Sequence, residues 1–238
     1  AREGARGIRL RRGGRGFLGG AGLSAVVVDD PHGSWGGPET PAACNLSRLR
    51  ERWRVVRAVV LERGPERAAL HARLAGARSW LDLTFHLCRG RDAVDVVARL
   101  LWNERGARLK LQFPVGAAAA DFDVPGATVR RAPCGEVPGG RWVRVHDGRG
   151  RPVLGFASDA LYAFDLTRGA LRATVARASG YAFAGPPALA EHRPAADCGE
   201  LRFRFLLTAG DSRLPFQAQE LEQPPTVLLV APKAGLWP

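Results

Sequence analysis

Apolar and polar residues alternate one by one in short runs along most of this 238-residue chain, and that period of two is the pattern its fold has to satisfy. In "SWLDLTFHLC", Leu81, Leu83, Phe85 and Leu87 fall on one side, and Asp82, Thr84 and His86 on the other. "RLKLQFPV" sets Leu109, Leu111 and Phe113 against Lys110 and Gln112, and "LRFRFLL" sets Leu201, Phe203 and Phe205 against Arg202 and Arg204. "ALRATVAR" and "RWVRVHDG" repeat the pattern more weakly. Successive side chains of a strand point to opposite faces of a sheet, so each run predicts a half-buried strand.

Turn chemistry separates the runs: "ERGPE" at Gly64, "CRGRD" at Gly90, "NERGA" at Gly106, "HDGRG" at Gly148 and "LTRGA" at Gly169. Glycine supplies positive φ where a tight reversal needs it. Short strands at this spacing, without a long helical pattern, predict an all-β antiparallel sandwich or barrel. "WRVVRAVVLE" is β-branched and reads as strand, while Ser47 to Arg54 could instead form a short helical turn. "VGAAAADFDVPGATVRRAPCGEVPGG" reads as a long connection with strand fragments, and "GYAFAGPPALAEHRPAADCGE" as a long proline-rich loop. After residue 215 the chain reads as a linker leading to a new apolar strand, "TVLLVAP".

The net charge of +12 raises a nucleic-acid partner, but the make-up of that charge argues otherwise. Of 35 basic residues only Lys110 and Lys233 are lysine, and the arginines are scattered rather than clustered. No nucleic-acid partner is expected. No window approaches about 18 uninterrupted apolar residues, so no membrane partner is expected either. The chain has no methionine, even at position 1, as expected for a processed or excised piece of a longer protein.

Local motifs for chemistry are weak. Cys44, Cys88, Cys134 and Cys198 form no C-x-x-C, and no histidine pair has metal-site spacing. His146 and Asp147 are adjacent on a strand and face opposite ways, so Asp147 and Gly148 read as turn formers. No feature selects the pair of carboxylates that glycoside hydrolysis needs.

The order of longer motifs is more informative. "VVVDDPHGSWGG" carries Asp30, Pro31, Trp35 and Gly36, and "VVRAVVLERGPERAALHARL" carries a Gly64-Pro65 turn. "GRDAVDVVARLLWNERGARLKLQFPV" supplies Asp95, Trp102, Glu104, Leu109, Lys110 and Pro114. "EVPGGRWVRV" adds Glu136, Pro138, Arg141 and Trp142. "GFASDALYAFDLTRGALRATVARAS" adds Gly155, Asp159, Tyr162, Asp165, Gly169, Leu171, Arg177 and Ser179. "ADCGELRFRFLLTAGD" adds Asp197, Gly199, Glu200, Phe203, Gly210 and Asp211. In this order and spacing, over about Gly16 to Pro224, the chain resembles the C-terminal β-sandwich region of family 38 glycoside hydrolases, the α-mannosidases. It departs where Gly33, Ser34 and Gly37 replace the usual Asp, Thr and His, and where Leu201 replaces a His.

The resemblance implies a large antiparallel supersandwich of the galactose-mutarotase-like kind over residues 1–215, with 216–238 as a linker and the first strand of a truncated module. It implies part of a retaining α-mannosidase whose nucleophile and zinc lie in a separate N-terminal catalytic domain, so no catalytic residue, metal or other cofactor is expected in this chain. The implied partners are that catalytic domain and, through the intact enzyme, mannosides. The implied groove residues are Asp197 and, secondarily, Arg177. Asp30, Pro31, Trp35, Gly36, Trp142, Tyr162, Gly199 and Glu200 are expected to be mainly structural signatures. A bacterial member would be expected in the cytoplasm. A free-standing carbohydrate-binding sandwich stays open as an alternative; it would need exposed aromatics in a row, whereas Trp35, Trp53, Trp80, Trp102, Trp142 and Trp237 mostly fall in strand patterns, as core residues would.

Overall fold

A computed structural model describes residues 4–12, 15–16, 18–20, 22–30, 48–179, 197–209 and 213–229. A short N-terminal ribbon pairs β1 (Arg11–Arg12) with β2 (Arg15–Gly16). Then come β3 (Ser24–Asp29), β4 (Leu49–Arg52), β5 (Arg54–Arg63), β6 (Arg67–Ala75), β7 (Trp80–Cys88), β8 (Ala93–Trp102) and β9 (Ala107–Pro114). The middle of the chain adds β10 (Ala119–Val124), β11 (Ala127–Arg131), β12 (Cys134–Pro138), β13 (Trp142–His146) and β14 (Pro152–Ser158). The last strands are β15 (Ala163–Thr167), β16 (Ala170–Ala178) and β17 (Gly199–Thr208), followed by the helix α1 (Leu214–Glu222).

The long strands build two antiparallel sheets. Nine strands lie in the order β11-β10-β13-β14-β17-β8-β7-β6-β5, and six in the order β12-β15-β16-β9-β3-β4. The sheets pack face to face as a sandwich, the fold class the alternation predicted. Leu81, Leu83, Phe85, Phe203 and Phe205 of the larger sheet meet Leu109, Leu111, Phe113, Phe164 and Leu166 of the smaller in one core. Phe156 is its hub, with ring centroids 5.3 Å from Phe113, 5.7 Å from Phe164 and 5.7 Å from Phe205.

The expected turns are where the chain reverses. The Gly64, Gly90 and Gly169 segments join paired neighbours, and the Gly106 segment carries the chain from the larger sheet to the smaller. In the 147–150 turn, however, it is Gly150 and not Gly148 that takes positive φ (+75°). Asp147 fixes that turn by accepting from the backbone N–H groups of Arg149 and Arg151, both at 2.9 Å.

Four sequence expectations change. The possible helical turn after Ser47 is strand β4, held between Val26, Val27 and Val28 of β3 and solvent. The long connection after Val115 contains three real strands, β10 to β12; two are edge-proximal and short, so their alternation is weak. Leu214–Glu222, read as the run into a linker, is helical. Its Leu214, Ala218 and Leu221 form one stripe over Trp142, Ala157 and Leu206 on the outer face of the larger sheet. Thus Leu206 and Leu207, which point to opposite faces, are both buried. Arg204 Nη2 donates to the Leu221 carbonyl at 2.6 Å and so satisfies one of the open acceptors at the helix end. Residues 226–229, expected to start a strand, belong to no strand among the described residues, and Val227, Leu228 and Leu229 are exposed.

Gly22 shows where the backbone itself is limiting. It has φ +83°, and a Cβ would stand 2.2 Å from the Ile8 carbonyl oxygen, which is already held by the Leu23 N–H at 2.9 Å. Gly22→Ala should cost about 1–3 kcal/mol in chemical denaturation; an unchanged midpoint would contradict this account of the bridge.

Candidate functional site

The outer face of the six-stranded sheet carries charged side chains that are buried or half-buried. Lys110, at the centre of β9, is 2% exposed. Its Nζ donates to Asp165 Oδ2 at 2.6 Å and to Glu136 Oε2 at 2.9 Å. Asp165 is also held by Arg172, and Glu136 by Arg108 (2.7 Å) and by the Thr174 hydroxyl (2.7 Å). Arg108 then passes to Asp30 Oδ2 at 2.9 Å, where Arg177 Nε donates as well. The result is one chain of alternating charges, Arg172–Asp165–Lys110–Glu136–Arg108–Asp30–Arg177, lying across β15, β9, β12, β16 and the end of β3. Asp30, Lys110, Glu136, Asp165 and Arg177, scattered over the sequence motifs, meet here.

Burial pushes the Asp30 carboxyl up, which is the largest single influence, but hydrogen bonds from Arg177 and Arg108 together outweigh it and hold the acid below its ordinary range. Glu136 behaves alike: burial raises it, and Lys110 and Arg108 bring it below the usual value. Two guanidinium groups saturate Asp30, so it serves as an electrostatic pin rather than as a base or nucleophile.

That pin lies at one end of the sandwich, and the β8–β9 turn organises this end. The Gly106 carbonyl accepts from the Asp30 N–H (2.8 Å) and from Arg50 Nη2 (2.9 Å), while the Gly106 N–H donates to Ala178 (2.8 Å). Two residues earlier, the Glu104 carbonyl faces the Cys198 thiol at 3.4 Å. Asp197, next to Cys198, therefore stands at the same end as Asp30 and Arg177. It is exposed and has φ +56°, the one non-glycine residue with positive φ among the described residues. Aspartate tolerates this region better than most residues, yet the conformation still costs free energy and so marks a constrained position. Its carboxylate forms no hydrogen bond or ion pair among the described residues, leaving both oxygens to accept from hydroxyl groups.

The other signature positions separate. Glu200 bridges Arg99 (2.6 Å) and Arg202 (2.8 Å) on the outer face of the larger sheet, and these two arginines bring its carboxyl down to about 2. Gly199, with φ +120°, opens β17. Trp142 packs under α1. Tyr162 does not pack: it is 67% exposed, and its backbone carbonyl accepts from the Gly139 N–H at 2.9 Å. Pro31, Trp35 and Gly36 lie outside the described residues, as do His32, Cys44, Asn45, His192, Gly210, Asp211, Trp237 and the proline-rich loop over 180–196.

The sequence reading missed the pairing of His146 with Asp121, a carboxylate that Arg130 also holds. Its Nε2 lies 2.8 Å from Asp121 Oδ2, and Arg130 Nε donates to the other oxygen at 2.7 Å. Partners on neighbouring strands leave no local spacing signal, because the pair is 25 residues apart. Among the described residues, no three His, Cys, Asp or Glu come together as a metal ion requires, so the donor set here does not fit zinc. Trp53 and Trp102 are fully buried, and the ring of Trp80 is covered by the Arg73 guanidinium at 4.2 Å. No row of open aromatic faces exists among these residues. No helix among the described residues is long and apolar enough to cross a membrane.

No family model matches the sequence, and no curated protein does. Solved structures do match. One is a protein in glycosyl hydrolase family 38 from Enterococcus faecalis, with TM-score 0.64 and 15% identity over 89% of this chain. Another is an alpha-mannosidase from Enterococcus faecalis V583, with TM-score 0.63 and 15% identity over 86% of this chain. The chain spans 29% and 28% of the length of these two proteins. At this identity the likeness is one of fold, and it is to a part of a much longer chain.

Proposed function

We propose that this chain is a non-catalytic β-domain of a retaining α-mannosidase-type glycoside hydrolase. In this reading it packs on a catalytic domain and lends the Asp197 end of the sandwich to the wall of the carbohydrate groove. The observation that carries the reading is the pairing of a near-complete fold match to under a third of an alpha-mannosidase with the convergence of Asp30, Arg177 and Asp197 at one end. The catalytic domain would supply the nucleophilic carboxylate and zinc, whose Lewis acidity orients sugar hydroxyls. The residues of this chain do something simpler. Asp30, clamped by Arg108 and Arg177, fixes the end of β3 against the β8–β9 turn, and that turn steadies Cys198 and Asp197. The Asp197 carboxylate then accepts hydrogen bonds from the hydroxyls of a bound sugar.

Two measurements test this. The isolated 238-residue chain with added zinc should not turn over an aryl α-mannoside; robust turnover abolished by a chelator would overturn the non-catalytic assignment. In the longer enzyme, Asp197→Asn, which tolerates the same left-handed backbone, should raise KM or lower kcat by roughly tenfold, the worth of one weakened hydrogen bond to a charged acceptor, with Tm unchanged. A fall in Tm with unchanged kinetics would mean that Asp197 only shapes its turn. The alternative, a free-standing carbohydrate-binding sandwich, is less well supported because Trp53, Trp80, Trp102 and Trp142 are buried or covered; glycan-array binding by the isolated chain would favour it.

A further inference from the structure

At the opposite end of the sandwich, where β7 stops and β8 begins, the structure holds a cleft of about 320 Å³ that the function proposed above does not use. Strands of nine or ten residues separate the two ends, so it lies roughly 30 Å from Asp197. Its floor is apolar: Leu70 of β6, Leu87 of β7, Ala93 and Val94 of β8, and Leu207 of β17. Leu87 is 43% exposed, an open apolar contact rather than a sealed core position.

The rim differs from the floor. Arg9 and Arg11 approach from the N-terminal segment, and Arg91 and the carboxylate Asp92 from the β7–β8 turn, so the positive side of the rim is the N-terminal one. Arg91 is engaged by Asp95 at 3.2 Å. Arg9 and Arg11 are exposed and form no ion pair among the described residues, unlike Arg50, Arg73 and Arg130, each matched to a carboxylate. The cleft thus joins an apolar bed of small-molecule size to two uncommitted cations on one side.

We propose that this cleft binds a small free amphipathic anion: an alkyl or aryl group carrying one carboxylate. The hydrocarbon would cover Leu87, Leu70 and Leu207, and the carboxylate would accept from the guanidinium groups of Arg9 and Arg11. A peptide or a sugar fits less well. Its volume of about 320 Å³ suits a small molecule rather than a peptide, and its largely apolar floor would leave most of a sugar's hydroxyl groups without partners.

Isothermal titration of the 238-residue chain with sodium octanoate tests this, with 1-octanol as the neutral probe and phosphatidylglycerol vesicles as a membrane probe. Octanoate should bind saturably at one site, and octanol roughly tenfold more weakly. The double variant Arg9→Ala/Arg11→Ala should weaken octanoate roughly tenfold and leave octanol unchanged. Leu87→Asn, at a surface position the fold tolerates, should weaken both probes by a similar factor. The proposal is overturned if octanoate does not saturate, if either variant leaves its affinity intact, or if vesicles recruit the chain while monomeric octanoate does not bind.

Discussion

Asp30→Ala should cost about 3–5 kcal/mol of stability, because it leaves Arg108 and Arg177 facing a site from which their shared carboxylate has gone. For a chain of this size that corresponds to a Tm fall on the order of 10 °C. The cost comes from stranded charge and not from a lost favourable contact, so it should be partly reversible. Adding Arg177→Met to Asp30→Ala should recover some of the loss, a non-additivity that a double-mutant cycle measures. A single-variant loss below about 1 kcal/mol, typical of an exposed pair, would show that the network is open to solvent. The pH dependence follows with a definite sign. Asp30 and Glu136 are held below their ordinary values when folded, so their stabilisation is complete above the unfolded carboxylate value of about 4. It is lost as pH falls through the lower folded values. Wild-type stability should therefore decline below about pH 4, and the Asp30→Ala profile should be flatter there.

Phe156→Ala should be comparably damaging, at about 3–5 kcal/mol. Phe156 is fully buried and touches rings from both sheets, Phe113 and Phe164 on one side and Phe205 on its own. Removing it opens a cavity at the centre of the sandwich, where backbone ladders on both sides prevent collapse. Phe156→Leu, which keeps much of the volume, should cost markedly less. Urea denaturation of both variants checks this; equal losses would mean that the site relaxes around a missing ring.

The fold was legible because its cause is local. Each alternating run that includes Leu81, Leu109 or Phe203 carries its own instruction for which side faces the core, and glycine turns say where the chain reverses. The helix α1 was not legible: Pro215 and the prolines after Gln223 frame it, but its stripe of Leu214, Ala218 and Leu221 is short, and its partners lie on distant strands. The charged network was legible only in pieces. Lys110 alternates with leucines and reads as a solvent-facing residue, yet it is the centre of a buried chain of ion pairs. Period-two reasoning gives the side a residue points to, but not whether that side is wet. His146 shows the same limit, since its carboxylate partner comes from the neighbouring strand β10.

The pin at Asp30 also sets a schedule for the nascent chain. Its two partners are separated from it by 78 and 147 residues, so β3 leaves the ribosome long before Arg177 does. At about 5–20 residues per second, Asp30 waits roughly 7–30 s for its second clamp. The hairpins from β5 to β8 can close meanwhile from nearby residues, whereas the six-stranded sheet, whose order interleaves β3 with β9 and β16, cannot. The six-stranded sheet is thus the late half of the molecule, and a chain stalled before β16 would expose Val26, Val28 and an unclamped aspartate together.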